Sequence, residues 1–227
     1  MLVLIFTFQK NKMNLELRKK RARVVLKELK RLYPTLQPFL HSNNDFEFLV
    51  AVILSAQCTD KKVNEVTEKL FQKYKKREDY VNAKLENFEK DINQIGLYKS
   101  KAKNILACAK MIQEQFHGKI PNTMEKMILL PGVGRKTANV VLGNIYGVVE
   151  GIAVDTHVAR LSEKFSLSDH KDREKIEKDL MHILPKKEWF LFTNRMIAYG
   201  REYSPAHKKK SLEDPISQAL LQKNFTK

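Results

Sequence analysis

The sequence predicts an all-α fold. Apolar residues recur at three- and four-residue spacing through most of the chain, strand-like alternation is scarce, and proline and glycine punctuate the periodic segments. No internal repeat or low-complexity segment competes with that reading.

The elements follow in order. Leu15 to Tyr33 is strongly charged and carries an apolar stripe at Val24, Val25, Leu26, Leu29 and Leu32, with Pro34 and Pro38 beyond it. Asp45 is the expected cap of a helix containing Phe48, Leu49, Val52 and Ile53; apolar nearly all round, that helix is expected to be buried. Asp60 to Tyr74 forms the next helix, and a long one runs from Lys99 to Phe116, entered through Ile95-Gly96-Leu97-Tyr98. A helix starting near Arg135 places Ala138, Val141, Leu142 and Ile145 at i, i+3, i+4 and i+7, and Gly147 suits its stop. Later helices are expected from Thr156 to Phe165, Asp172 to Leu184 and Glu188 to Tyr199.

Composition narrows the class of partner. The 227 residues are 43% hydrophobic and 30% charged, the balance of a globular protein able to bury a core. Lysine and arginine number 42 against 26 acidic residues, a formal charge of +16, so the expected partner is a polyanion. No apolar stretch approaches the roughly 20 residues that span a bilayer, which favours nucleic acid over membrane. The apolar opening from Met1 to Phe8 has neither a preceding basic region nor a small-residue cleavage site; it reads as a lead-in without a targeting role, with Met13 as an alternative start. Cys58 and Cys108 are far apart and belong to no Cys-x-x-Cys pair, so they offer no zinc site and are expected to be reduced, cytosolic thiols.

The chemistry concentrates at Pro131-Gly132-Val133-Gly134-Arg135-Lys136. Two glycines allow backbone angles closed to other residues, and amides at a turn just ahead of a helix N-terminus form a site for one phosphate. Such a turn alone also serves simply to join two helices; the following Arg135-Lys136 and the charge of +16 favour the phosphate. Lys136, at the second position of a helix, sets an ammonium against the positive end of the macrodipole, an unfavourable position that would favour the neutral, nucleophilic amine if the site is also partly desolvated. Asp155 is a ready N-cap for the helix beginning at Thr156, and a cap holds its carboxylate at a helix end.

Four segments together resemble the endonuclease III family of helix–hairpin–helix DNA glycosylases: Leu129 to Val141, Val154-Asp155-Thr156-His157, Leu54 to Asp60, and Ile95 to Ala102. The match runs in order from about residue 20 to about residue 203. The resemblance implies a two-lobed fold with a DNA-binding cleft between the lobes. Residues 37–148 would form a six-helix lobe with the hairpin, and residues 13–36 plus 149–227 the second. It further implies base excision from double-stranded DNA bearing a damaged base, oxidised pyrimidines foremost, or an abasic site. Lys136 would form a Schiff base at C1′ and Asp155 would take its proton or stabilise the cationic sugar. Gln57 would fill the space left by the extruded nucleotide, Leu97 would wedge into the duplex, and His157 with Gly132, Val133, Gly134 and Arg135 would hold the backbone. Unaided, Leu97 reads as a core leucine, and Gln57 and His157 as surface residues.

One departure stands out. Many family members carry a four-cysteine 4Fe–4S cluster after the segment that reads here Tyr199 to Tyr203, but Ser204 occupies the expected first-ligand position and no cysteine follows. No iron–sulfur cofactor is therefore expected. The second lobe is expected to be held by packing alone, through Trp189, Phe190, Phe192, Met196 and Ile197, with His207 to Lys210 replacing some phosphate contacts or forming a solvated basic tail. The family fold also permits a monovalent cation on hairpin carbonyls. The expectation is a cytoplasmic monomer, nucleoid-associated in a bacterium. Two other readings are a monofunctional glycosylase and a non-catalytic DNA-binding module; neither needs Lys136 paired with Asp155.

Overall fold

The computed structural model describes residues 14–36, 38–208 and 211–223. The opening segment before Asn14, including Met13, and Lys209 and Lys210 lie outside the described residues. The helices are α1 (Leu15–Leu32), α2 (Asp45–Ser55), α3 (Asp60–Lys73), α4 (Arg77–Val81), α5 (Leu85–Asp91), α6 (Tyr98–Gln115), α7 (Met124–Met127), α8 (Arg135–Tyr146), α9 (Thr156–Lys164), α10 (Arg173–Ile183), α11 (Trp189–Glu202) and α12 (Pro215–Gln222). Short 3-10 turns at Lys186–Glu188 and Ala206–Lys208 complete the order, and no strand occurs among the described residues. Sequence periodicity missed α4, α5, α7 and α12, which are too short to show a repeating face. Asp45 is not a cap: Asn44 is, its side chain accepting from the Glu47 amide at 2.9 Å, and Asp45 begins the helix.

The chain divides into two compact units. One is Leu36–Ala153; the other comprises the described residues up to Thr35 and from Val154 onward. In the first, α2 is the core element: Leu49 to Leu54 are all buried, and α3, α6 and α8 pack around it. That burial follows from a segment with no polar face to offer water. Phe46, Tyr74, Tyr80 and Phe88 form an aromatic cluster of edge-on and tilted pairs at α4 and α5, with ring centroids 5.1 to 5.7 Å apart. Cys108 is buried in α6, which pushes its thiol up to about 12; Cys58 is half-buried, and both are free thiols.

In the second unit, α1 packs on α10, α11 and α12, and α9 packs on α11. Val25 and Leu29 of the α1 stripe are fully buried, joined by Ala22, while Val24, Leu26 and Leu32 are half-buried. Trp189, Phe192 and Met196 are buried as expected, and Phe190 and Ile197 are half-buried. Packing does not act alone, however. Lys164 at the end of α9 donates to the Ser204 hydroxyl at 2.8 Å and pairs with Asp214 at 2.7 Å, both partners almost wholly buried. Asp214 is also the N-cap of α12: it accepts from the Ser217 amide at 3.1 Å and hydroxyl at 2.7 Å, and from the Tyr199 hydroxyl. The same Tyr199 oxygen accepts from the Ile216 amide at 2.9 Å.

This network joins α9, α11, the Ser204 turn and α12 through groups whose hydrogen bonds are mutually satisfied. Burial by itself would raise the Asp214 carboxyl, but hydrogen bonds from Lys164, Tyr199 and Ser217 outweigh it and hold it below its ordinary 3.8. A depressed carboxylate stabilises the fold above its unfolded value and loses that contribution as pH falls through the folded one. Lys164→Met is expected to cost about 3–5 kcal/mol by stranding a buried carboxylate. Asp214→Asn should flatten the fall of the thermal midpoint expected of the parent chain below about pH 4; an unchanged acid limb in that variant would show that the network does not set acid stability.

Candidate nucleic-acid interface and active site

In the first unit the hairpin links α7 to α8. Leu130 and Val133 anchor it in the core, and the Val133 amide closes the turn onto the Leu130 carbonyl at 3.0 Å. Gly132 has φ 81°, the left-handed region, and an added Cβ would lie 3.0 Å from the Asn104 Cβ and 3.4 Å from Ile53. Gly134 behaves differently from the sequence expectation. Its φ of −87° and ψ of 174° suit any residue, and a Cβ there would meet nothing within 4 Å. Gly132 therefore serves the turn, whereas Gly134 serves open access to the start of α8.

Its N-cap, Gly134, has no side chain to cap that start, and Ala138 is the first residue of α8 whose amide turns back, at 2.9 Å, to the Gly134 carbonyl. The first-turn amides point outward with the positive end of the helix dipole behind them, which is the arrangement an anion selects. Arg135 and Lys136 are both exposed there, on a helix whose opposite face is buried at Ala138, Val141 and Leu142. Lys136 thus projects from a rigid base in the first turn of α8.

Gln57 and Leu97 also come together in this unit. A methyl group at Gly96 would sit 3.7 Å from the Gln57 carbonyl oxygen, so the α2–α3 turn and the entry to α6 run side by side. Gln57 has φ 53° and Leu97 φ 60°, and both are exposed, Leu97 at 61%. Left-handed backbone at a bulky non-glycine residue is strained, and strain of this kind collects at sites of function. The core reading of Leu97 fails: as the N-cap residue of α6 it is turned out of the core.

In the second unit Asp155 caps α9, its Oδ1 accepting from the Val158 amide at 2.8 Å. His157 and Arg160 lie against α11 at Gly200, where an added Cβ would come 2.5 Å from the His157 Nδ1. Arg160, which sequence reasoning passed over, reaches His157 and the Gly200 carbonyl at 3.5 Å each. Burial pulls its guanidinium below the ordinary value, and the charge of Asp155 partly opposes that. Its signal in sequence was its spacing: Asp155 and Arg160 are five apart across a helix start, with His157 between them. The sequence reading also assigned no role to Lys101 and Asn104 of α6 in the first unit, which lie against the end of α2 and against Gly132.

Residues 50–186 match the HhH-GPD superfamily base excision DNA repair protein family. The chain belongs to that superfamily. It is 46% identical over 186 residues to endonuclease III of Bacillus subtilis, covering 82% of this chain and 84% of the relative. Endonuclease III of a Synechocystis species is 42% identical over 191 residues, covering 84% and 87%. Among solved structures, a trapped endonuclease III–DNA covalent intermediate superposes with a TM-score of 0.82 at 42% identity, covering 87% of this chain and 93% of that one. A non-covalent endonuclease III–DNA complex gives 0.83 at 42% identity, covering 88% and 94%. No helix among the described residues is long and apolar enough to cross a membrane.

The two glycines should separate on substitution. Gly134→Ala is expected to leave the stability within about 0.5 kcal/mol of the parent chain yet weaken duplex binding by crowding the first-turn amides. Gly132→Ala should destabilise by about 1–3 kcal/mol through its strained φ. Thermal unfolding and fluorescence anisotropy on labelled duplex test both; equal stability losses would refute the division of roles.

Proposed function

We propose that this chain is a bifunctional base-excision DNA glycosylase and abasic-site lyase, with Lys136 as nucleophile and Asp155 as its acid–base partner. The observation that carries the reading is Lys136 itself: an exposed amine in the first turn of a core-anchored helix, beside an uncapped N-terminus suited to a phosphate. A relative at 42% identity has been trapped as a covalent DNA intermediate, and a covalent bond to DNA is what such an amine forms.

The chemistry follows from the groups. The neutral Lys136 nitrogen attacks C1′ of the damaged nucleotide, and the N-glycosidic bond breaks with its electron pair leaving on the base. Loss of one amine proton and opening of the sugar ring, with a proton passing to the ring oxygen O4′, leave an iminium at C1′, which acidifies the C2′ hydrogen. Removal of that proton expels the 3′ phosphate oxygen by β-elimination. Asp155, ionised and fixed by the Val158 amide, accepts a proton or stabilises positive charge at the sugar. The phosphate backbone is held by the Gly132–Arg135 turn and by His157, while Gln57 and Leu97 occupy the duplex around the extruded nucleotide. The substrate is duplex DNA carrying a damaged base, oxidised pyrimidines first, or an abasic site, and the protein acts as a cytoplasmic monomer.

We also propose that it works without a 4Fe–4S cluster. A cluster of that kind takes four thiolates, whereas the chain holds two cysteines, both in Leu36–Ala153, and Ser204 is engaged by Lys164. The residues present do not fit the group. Purified protein is expected to contain no stoichiometric iron by elemental analysis and still to act on DNA.

Borohydride trapping on a duplex with one abasic site is the deciding experiment. The parent chain should form a covalent adduct, Lys136→Ala should form none, and Asp155→Asn should slow the reaction by roughly 10²–10⁴-fold. Tight, salt-sensitive binding without an adduct in the parent chain would overturn the lyase reading.

A further inference from the structure

Lys101 is a charged residue in a core position. It lies on α6 in line with Ile105, Cys108 and Ile112, all buried, and is itself only 5% exposed. Its ammonium donates to the Leu54 carbonyl at 2.9 Å and to the Ala56 carbonyl at 2.6 Å, at the end of α2. The last carbonyls of a helix have no partner within it and lie at the negative end of its dipole, so a cation there is doubly favoured. Burial lowers the Lys101 ammonium from its ordinary value, which marks how far it is withdrawn from water.

The carbonyls it holds bracket the bend that matters. Ala56 is the C-cap of α2, and the next residue is Gln57, in its left-handed conformation; the Cys58 amide then closes a turn onto the Ser55 carbonyl at 3.1 Å. On its own helix, the Lys101 amide bonds the Leu97 carbonyl at 3.1 Å, fixing the first turn that begins at the other left-handed residue. One residue is thus tied through its side chain to the Gln57 bend and through its backbone to Leu97. A Cβ added at Gly96 would lie 3.7 Å from the Gln57 carbonyl oxygen, and these two ties hold that proximity.

We infer that Lys101 is a positioning residue for duplex opening: its buried ammonium clamps the end of α2 so that Gln57 and Leu97 are presented as one rigid pair. The inference rests on the reading of Gln57 and Leu97 as the residues that enter the duplex. Rigidity matters because both backbones are strained, and a strained bend persists only where its surroundings hold it. Without the clamp the Gln57 turn relaxes, and the pair meets the duplex out of register.

The test uses the full chain on two substrates: a duplex containing a damaged base, and single-stranded DNA containing an abasic site, which has no partner strand to open. Lys101→Met should lower single-turnover excision from the duplex by on the order of 10²-fold, the scale of a small misplacement in a reacting complex. Borohydride trapping on the single strand should stay near the parent level. Added to Gln57→Ala, the same substitution should cost little more on the duplex. Lys101→Arg, which keeps the charge and donors, should retain most duplex activity and serves if the methionine variant fails to fold.

Equal losses on both substrates, a full penalty persisting in the Gln57→Ala background, or unimpaired duplex excision by Lys101→Met would each overturn the proposal. For the arginine variant, duplex and single-strand losses of equal size would do the same. Gln57→Ala and Leu97→Ala in the parent background separate the two levels. If neither affects duplex excision, the reading of that pair fails; if both do while Lys101→Met does not, only the clamp fails.

Discussion

The first amides and last carbonyls of an α-helix have no partners inside it, and burying or leaving them open is costly unless something answers them. Nearly every residue of interest here stands at such an end. Gly134 leaves the start of α8 open to an anion, Asp155 closes the start of α9, Leu97 opens α6, and Lys101 answers the carbonyls at the end of α2. The buried bodies of the helices provide rigidity, and their termini carry the polarity. No sheet edge occurs among the described residues, so under the proposed function it is the helix ends that would hold a phosphate backbone.

The second unit shows the same constraint working for stability. The N-terminus of α12 is capped by Asp214, and that carboxylate is the hub at which Lys164, Tyr199 and Ser217 meet. A buried carboxylate with one ion-pair partner and several donors keeps its charge, because each oxygen is satisfied. Around it α9, α11 and α12 are drawn to one point by directional bonds, which hydrophobic packing alone does not supply. The turn at Ser204 belongs to this point through its hydroxyl.

Strain and rigidity are paired in the first unit as well. Of the non-glycine residues with left-handed backbone among the described residues, Gln57 and Leu97 are neighbours in space, although forty positions separate them in sequence. Neither conformation is favoured locally. Each is held by what lies beneath it: the Lys101 clamp, the α2 core and the first turn of α6. Such positions are invisible to propensity, which describes what a residue prefers rather than what its surroundings impose.

The sequence by itself determined the helical class, the burial of α2, the apolar faces of α1 and α8, the hairpin with Lys136, and Asp155 as a cap, because each depends on spacing within a few residues. The four combined motifs also carried the family. The short helices escaped, having no room for a period, and Asn44 rather than Asp45 proved to be the cap, since neighbouring residues of equal capping propensity differ only in backbone angle. Tertiary structure alone decided that Gly132 needs its freedom while Gly134 does not, that Leu97 faces outward, and that Lys101 and Lys164 are buried where lysine is ordinarily solvated. Those outcomes depend on atoms brought close from distant parts of the chain: Leu54 to Lys101, Lys164 to Asp214. Local pattern has no access to a contact that only folding creates.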